Sequence, residues 1–410
     1  MKPLVDVDTL DQDKVLRIDL GSQETKRNMR KYCADWGNRS PFYVPHEGHV
    51  IVIVGRQADA LEVYHDRERF SNIIPKDPAY RMFDKFMGVR ILAQMDGEPH
   101  DRIRRLMTPA LSPKAVARLE DGVTAAIDRL LDDIEAGGPR FDGMKDFGDH
   151  LIYEGMLWTM LGLGPDQKAV FKEMHRVIPL ITYISAGETY PDECVRAFDA
   201  ARKMIDQIVI ERRQNPGVDL ISALIAARDE GDKLSDEEMF DQIFTVTAGA
   251  LSGTTQAAGS ALYSLYSHPG TVQRLQADPN LIPQAFAECQ RWHSGYLTFP
   301  RFPVADTEVG GTKILKGMVV RVCPQAAHYD PEVYDDPQRF DITRNARNIA
   351  FGSGPHLCLG NNFAKSLLRI AIQKLITRFP DARLEDPAMQ VEYGGAVGQM
   401  RIMSLPMVIA

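Results

Sequence analysis

The chain carries five cysteines, at positions 33, 194, 289, 323 and 358, with no Cys-x-x-Cys pair among them. That excludes a regular disulfide framework and a paired zinc knuckle. One of the five has a chemical setting. Residues 351–360 read Phe351-Gly352-Ser353-Gly354-Pro355-His356-Leu357-Cys358-Leu359-Gly360. Glycine permits positive φ and close backbone approach. A run with helical apolar spacing follows from Asn361 to Lys374, so Cys358 is expected just before or at a helix N-terminus. Backbone N–H groups and the helix dipole there favour a thiolate. A single thiolate held in such a loop suits axial coordination of iron. The plainer alternative is an inert buried cysteine in a glycine-rich turn. A zinc site shared with His356 is weak, because the two residues are two apart and lack further ligands.

The ten-residue string Phe-Gly-x-Gly-x-His-x-Cys-x-Gly resembles the haem-binding loop of the cytochrome P450 family, the haem-thiolate monooxygenases, and matches it at every defining position. The resemblance is to soluble bacterial members of the camphor-hydroxylating type and extends over nearly the whole chain. It implies that Cys358 is the metal ligand, that Phe351 packs near the sulfur, and that Gly352 and Gly360 shape the loop. It also implies that His356 faces a propionate of haem b. Glu288-Cys289-Gln290-Arg291 resembles the family's Glu-x-x-Arg pair, with Glu288 and Arg291 as a structural lock. Asp336-Pro337-Gln338-Arg339-Phe340-Asp341-Ile342-Thr343-Arg344 resembles its next segment. Arg301 stands where a propionate-binding arginine is expected. Asp96-Gly97-Glu98-Pro99-His100 through Arg105 resembles a helix opening in which His100 and Arg104 clamp propionates. An i, i+4 pair lies on one helix face, so both side chains can reach one carboxylate edge.

In the family a long helix passes over the haem with an acid followed by paired threonines. The matching string here is Ala250-Leu251-Ser252-Gly253-Thr254-Thr255. The threonines are present, and Gly253 stands in the place of the acid. The resemblance assigns the handling of dioxygen and protons to Thr254, with Gly253 and Thr255 beside it. A hydroxyl can hold a water but cannot by itself draw protons from solvent. An ordered water chain in the acid's place is therefore expected. A peroxide-using or otherwise non-standard oxidation is the alternative that the same gap raises. The family's pocket regions supply Tyr80, Phe83, Thr247, Ala250, Leu251, Leu297, Phe299 and Val397, mostly apolar, for a small or medium apolar substrate: a terpenoid, an aromatic compound or a steroid.

These residues need a large body to position them. The chain has 410 residues, with 48 basic and 56 acidic side chains and a formal charge of −8. Apolar residues make up 44% and charged residues 25%, an ordinary globular composition. The acidic balance argues against a nucleic-acid binder. The fold expected is α+β, mainly α, of the P450 type, as one domain over 1–410. Its β-rich parts fall at about 1–70, 295–325 and 385–410, and its helical parts at about 95–290 and 351–380. His49–Gly55 reads as a buried strand. Ser235 to Glu238 reads as a capping box opening a helix that runs to about His268, before Pro269. That helix's uncharged stretch is too rich in Ser and Thr for a membrane span. The N-terminal segment has no basic-then-apolar leader pattern, and the cytoplasm is the expected compartment.

There is no Gly-x-Gly-x-x-Gly after a strand and no ferredoxin cysteine pattern. Electrons, originally from NAD(P)H, are thus expected through a separate ferredoxin and reductase. Arg102, Arg105, Lys114, Arg344, Arg347 and Lys365 are expected to form a basic face steering an acidic donor to a monomeric enzyme. A non-catalytic haem sensor or electron carrier is the rival of another class. It would more often use two protein axial ligands, and no second one is evident.

Overall fold

The computed structural model describes residues 5–39, 41–46, 48–75, 90–181, 190–227, 231–345, 348–395 and 398–409. Tyr80, Phe83, Arg347 and Val397 lie outside them.

The main sheet is built from Phe42–His46 (β1), His49–Val54 (β2), Phe70–Ser71 (β3), Phe299–Pro303 (β4) and Val319–Val322 (β5), in the order β1-β2-β5-β4-β3. Strand β2 is buried from Val50 to Val54, as a β-branched run covered on both faces should be. It pairs parallel with β5, and β5 pairs antiparallel with β4, which sets Arg301 opposite Val320.

The helical body holds Gly97–Met107 (α1), Glu120–Ala136 (α2), Pro165–Ile181 (α3), Asp192–Gln214 (α4), Asp236–Tyr266 (α5), Ile282–Trp292 (α6) and Asn361–Arg378 (α7). The amphipathic run that begins at Pro113 is broken in two, a short helix Pro113–Ala117 preceding α2. Helix α5 has 31 residues, about 46 Å at 1.5 Å per residue. Its capping box forms as expected: Ser235 Oγ accepts from the Glu238 N–H at 3.2 Å, and Glu238 Oε2 accepts from the Ser235 N–H at 2.8 Å. The helix stops at Tyr266, with Ser267 as its C-cap, two residues short of the expected end.

One strand had no clear signal in the sequence. Arg140–Asp142 lies within the expected helical stretch and pairs with Pro406–Val408 near the end of the chain. Its register is held by Asp142, whose carboxylate accepts from the N–H groups of Met144 and Leu405. Among the described residues there are three hydrophobic clusters, the smallest formed by Phe302 and Val319; the other two are large. One gathers the helices and the C-terminal strands around α5, and the other lies over the main sheet. Cys33, Cys194, Cys289 and Cys323 are buried thiols within them.

Candidate functional site

The loop before α7 is shaped by its glycines. Gly352 and Gly354 have φ of +78° and +68°. A Cβ on Gly354 would stand 2.6 Å from the Tyr64 carbonyl oxygen, so only glycine lets the loop lie against that segment. The Cys358 N–H donates to the Phe351 carbonyl at 2.9 Å, closing the loop on itself. Cys358 keeps substantial accessible surface. Even so, protein surrounds it closely enough that burial is the main influence on its thiol, raising its pKa. The Gly360 N–H, Arg104 and Lys365 oppose that rise. Exposed area on a sulfur so closely surrounded leaves room for a ligand on its open side. Phe351 is half-buried, with the Lys365 ammonium 5.4 Å from its ring.

Four basic side chains converge beside this loop. The His100 and His356 rings lie 4.1 Å apart. Arg104 Nη2 donates to the Leu357 carbonyl at 2.6 Å. Arg301 lies over the Tyr64 ring at 5.1 Å and donates to the Pro300 carbonyl. Burial first, and then mutual repulsion, lowers the pKa of His356, with Arg301 and Arg104 both contributing. Burial likewise lowers those of His100, Arg104 and Arg301. Among the described residues the buried His100 Nε2 has no hydrogen-bond partner. Asp96 and Asp101 oppose the fall for the two histidines, and a cluster of basic groups at this depth suits a ligand with two carboxylates. These residues fit a haem, whose propionates would sit there with its iron toward Cys358.

Two further groups that the sequence reading left without a role hold this cluster. Asp96 accepts from Ser71 Oγ at 2.5 Å and from the Asn72 N–H at 3.0 Å, and lies 3.3 Å from His356 Nε2. Arg67 pairs with Asp101, whose carboxylate also meets His100 Nδ1 at 2.9 Å. Asp96 and Asp101 stand inside the quoted Asp96–Arg105 motif, but nothing in their spacing marks them out from ordinary N-terminal helix acids.

Beneath the loop, Glu288 and Arg291 form a fully buried two-pronged pair at 2.6 and 2.8 Å. Arg291 donates to the carbonyls of His328, Pro337 and Arg339, and Glu288 accepts from the Asp341 N–H. His328 Nε2 then accepts from the Ile349 N–H at 2.9 Å. A continuous set of bonds thus runs from α6 to the start of the cysteine loop.

The distal helix α5 differs from its expected role. Among described side chains from Thr245 to Gly253 only Thr247 is buried, whereas every residue from Thr254 to Leu262 is. Thr254, at 5% exposure, is already engaged, and Thr255 donates to the Leu251 carbonyl. Thr254 thus stands where the packed half of the helix begins, next to the open half. Gly253 borders the open half, and a Cβ there would find only the Tyr296 ring, 3.8 Å from Cε2 and 3.9 Å from the hydroxyl. Thr247 is corrected as a pocket residue: it is fully buried and donates to the Phe244 carbonyl. Leu297 is 1% exposed and belongs to the core. Ala250, Leu251 and Phe299 remain partly open.

The basic face is smaller than expected. Arg102 is neutralised by Asp232 at 2.5 Å and Glu238 at 2.7 Å. Arg344 is 10% exposed, 3.5 Å from Glu288, and donates to the Asp335 and Asp336 carbonyls. Both arginines do internal structural work. Lys114 and Lys365 are exposed, and Arg105 lies 3.9 Å from Glu98. Among the described residues, no helix is long and apolar enough to cross a membrane.

A helical body with a long central helix, small sheets and a lone cysteine loop beneath is the architecture of the cytochrome P450 fold. Solved structures share it. The cytochrome P450 of the Bacillus subtilis bacillaene polyketide synthase superposes with a TM-score of 0.83 at 23% identity, covering 96% of this chain and 100% of that one. A cytochrome P450 from Chondromyces apiculatus gives 0.82 at 26% identity, covering 96% and 98%. The family model "Cytochrome P450" matches residues 167–392. Nocardicin C N-oxygenase of Nocardia uniformis subsp. tsuyamanensis is 31% identical over 83% of this chain and 85% of that protein. Steroid C26-monooxygenase of Mycobacterium tuberculosis H37Rv is 29% identical over 79% and 80%. This chain belongs to the cytochrome P450 family and is a monooxygenase.

Proposed function

We propose that this enzyme is a haem-thiolate monooxygenase in which Cys358 ligates haem b, and in which His100, Arg104, Arg301 and His356 hold its propionates. The substrate is a small or medium apolar molecule. The observation that carries this reading is the convergence of four buried or half-buried basic side chains next to a lone exposed cysteine. When bound, the haem supplies dioxygen activation: one oxygen atom enters the substrate, and the other leaves as water after two electrons and two protons are taken up. The protein's part is to hold the group and control access. The Gly360 N–H donates to the Cys358 sulfur, and Arg104 and Lys365 lend it positive potential, each favouring the thiolate. Phe351 and the half-open Leu359 flank that sulfur in the chain and are apolar, and an apolar surround limits water there. The test is the optical spectrum of the reduced, CO-treated protein. A red-shifted Soret band of the thiolate type is expected, and its absence would sink the assignment.

The substrate class rests on the partly open Ala250, Leu251 and Phe299, which are apolar. A steroid is supported by the relative named as a steroid C26-monooxygenase. Spin-state change on titration with steroids, terpenoids and aromatics ranks these classes. Electrons come from NAD(P)H through a reductase and an acidic ferredoxin that docks on the face carrying Lys114 and Lys365. A second reading, oxidation driven by peroxide, is favoured by one observation: no acid stands on the open part of α5 from Thr245 to Gly253. Product formed with hydrogen peroxide and no NADH would support it.

A further inference from the structure

One imidazole of the basic cluster has a carboxylate on one nitrogen and, among the described residues, no partner on the other. His100 is fully buried, and its Nδ1 lies 2.9 Å from Asp101 Oδ1. Arg67, just before β3, grips the same carboxylate: Nη1 donates to Asp101 Oδ2 at 2.9 Å, and Nη2 donates to Oδ1 at 2.5 Å. On the basis of the haem-thiolate reading above, we propose that Asp101, held by Arg67, is the positioning residue of His100: it takes the Nδ1–H and leaves Nε2 to donate to a haem propionate, so that His100 holds the haem as an imidazolium.

The distances fix where the hydrogens go. An ionised carboxylate only accepts, so Nδ1 is the donor in the bond to Asp101. Arg67 Nη2, a donor itself, stands farther from Nδ1, at 3.4 Å. Arg67 also holds the Asp101 carboxyl well below the usual carboxylate range, so Asp101 stays ionised. With Nδ1–H committed, Nε2 of a neutral ring is a bare acceptor, and only the imidazolium gives it a hydrogen to donate. That nitrogen is the buried one without a partner. Burial lowers the pKa of His100, Asp101 opposes the fall, and His356 and Arg104 add to it. The ring alone therefore leans toward neutral. A propionate at Nε2 completes the alternation Arg67 positive, Asp101 negative, His100 positive, propionate negative, and one proton is taken from solvent to do so.

The ring stands against the cysteine loop. Its centroid is 4.1 Å from that of His356, two residues before Cys358. Arg104, one turn further along α1, donates to the carbonyl of Leu357, the residue before the cysteine. The charged and titratable groups that face His100 are thus Asp101 and Arg104 from its own helix, Arg67 from the segment before β3, and His356 from the loop, itself 3.3 Å from Asp96.

The test follows haem leaving the ferric holoenzyme for excess apomyoglobin between about pH 6 and 8.5, which needs neither substrate nor turnover. Asp101→Asn keeps the shape and an acceptor for Nδ1–H but no longer favours the imidazolium. It should speed haem loss about tenfold over wild type at about pH 8, and less than about threefold at about pH 6, where solvent supplies the proton. Arg67→Lys keeps the charge and loses the two-pronged hold, and should give a smaller acceleration with the same pH dependence. Added to His100→Gln, Asp101→Asn should change the rate by less than about twofold at either pH, because the carboxylate then has no imidazole to act through. An Asp101→Asn effect equal at both pH values, one retained in full beside His100→Gln, or wild-type haem loss at about pH 8 would overturn the proposal. If Asp101→Asn keeps too little haem to follow, Arg67→Lys decides by the same criteria. The thiolate Soret band of each reduced CO complex reports that Cys358 still ligates. Its absence from the wild-type protein would instead overturn the underlying haem-thiolate reading.

Discussion

The two sides of the site are built on opposite principles. Below, hydrogen bonds fix each group: Cys358 by loop closure and the Gly360 N–H, Arg291 by a carboxylate and three carbonyls, and the His328 ring by the Ile349 N–H. Above, α5 is loosely covered from Thr245 to Gly253 and tightly packed only from Thr254 on. The lower side fixes a reaction common to a family. The upper side leaves room that one chain can fill in its own way.

Substitutions can break this contrast or refine it. Cys358→Ala should abolish both the thiolate Soret band and activity, read in the reduced CO spectrum; a retained band would place the ligand elsewhere. Glu288→Gln leaves the Arg291 cation buried without its charge partner and should cost about 3–5 kcal/mol, read by denaturant unfolding together with haem content. A cost under about 1 kcal/mol would mean that the lower side is not over-determined. Gly295→Ala sets a Cβ 2.5 Å from Gln256 Cβ, forces backbone apart at that contact and should cost about 1–3 kcal/mol, read by the same unfolding.

The pH dependence follows from buried histidines. Burial pushes the pKa of His328 down to about 3 and those of His175 and His293 down to about 4. They stay neutral in the folded protein, while the unfolded chain takes up protons near pH 6.5. Their contribution to stability is therefore full above about pH 6.5 and is lost as pH falls toward about 4. His175 contacts Phe171 and Tyr153, and among the described residues neither of its ring nitrogens has a hydrogen-bond partner. His175→Phe should flatten the stability-against-pH slope by up to about one proton between about pH 6.5 and 4, measured by unfolding across that range. An unchanged slope would show that His175 is not among the groups responsible. The smallest effect is expected at the surface. Lys365→Glu should slow reduction by an acidic ferredoxin about threefold at low salt and less at high salt. Equal rates at both would remove Lys365 from the docking face.

Much of the lower side was legible because it is local in sequence. Ten consecutive residues carry the cysteine loop, an i, i+3 pair carries Glu288 and Arg291, and an i, i+4 pair carries His100 and Arg104. The capping box at Ser235 likewise announced α5. The upper side is assembled from residues far apart, and there local pattern misled. How α5 packs against distant segments decides which of its side chains stay open, and the string alone does not carry that. Thr247 and Leu297 failed as pocket residues for the same reason. Arg102 and Arg344 read as surface charges because their partners, Asp232 and Glu288, lie more than fifty positions away. Gly295 marks a close backbone approach without saying to what. Strand Arg140–Asp142 is three residues long and takes its identity from a partner near the far end of the chain.

The bonds from Glu288 through Arg291 and His328 to Ile349 have a further consequence. They tie the cysteine loop to α6 and involve no residue of α5. Changes on the upper side can therefore accumulate without disturbing the electron richness of the sulfur, so that selectivity and oxidising power are inherited as separable traits.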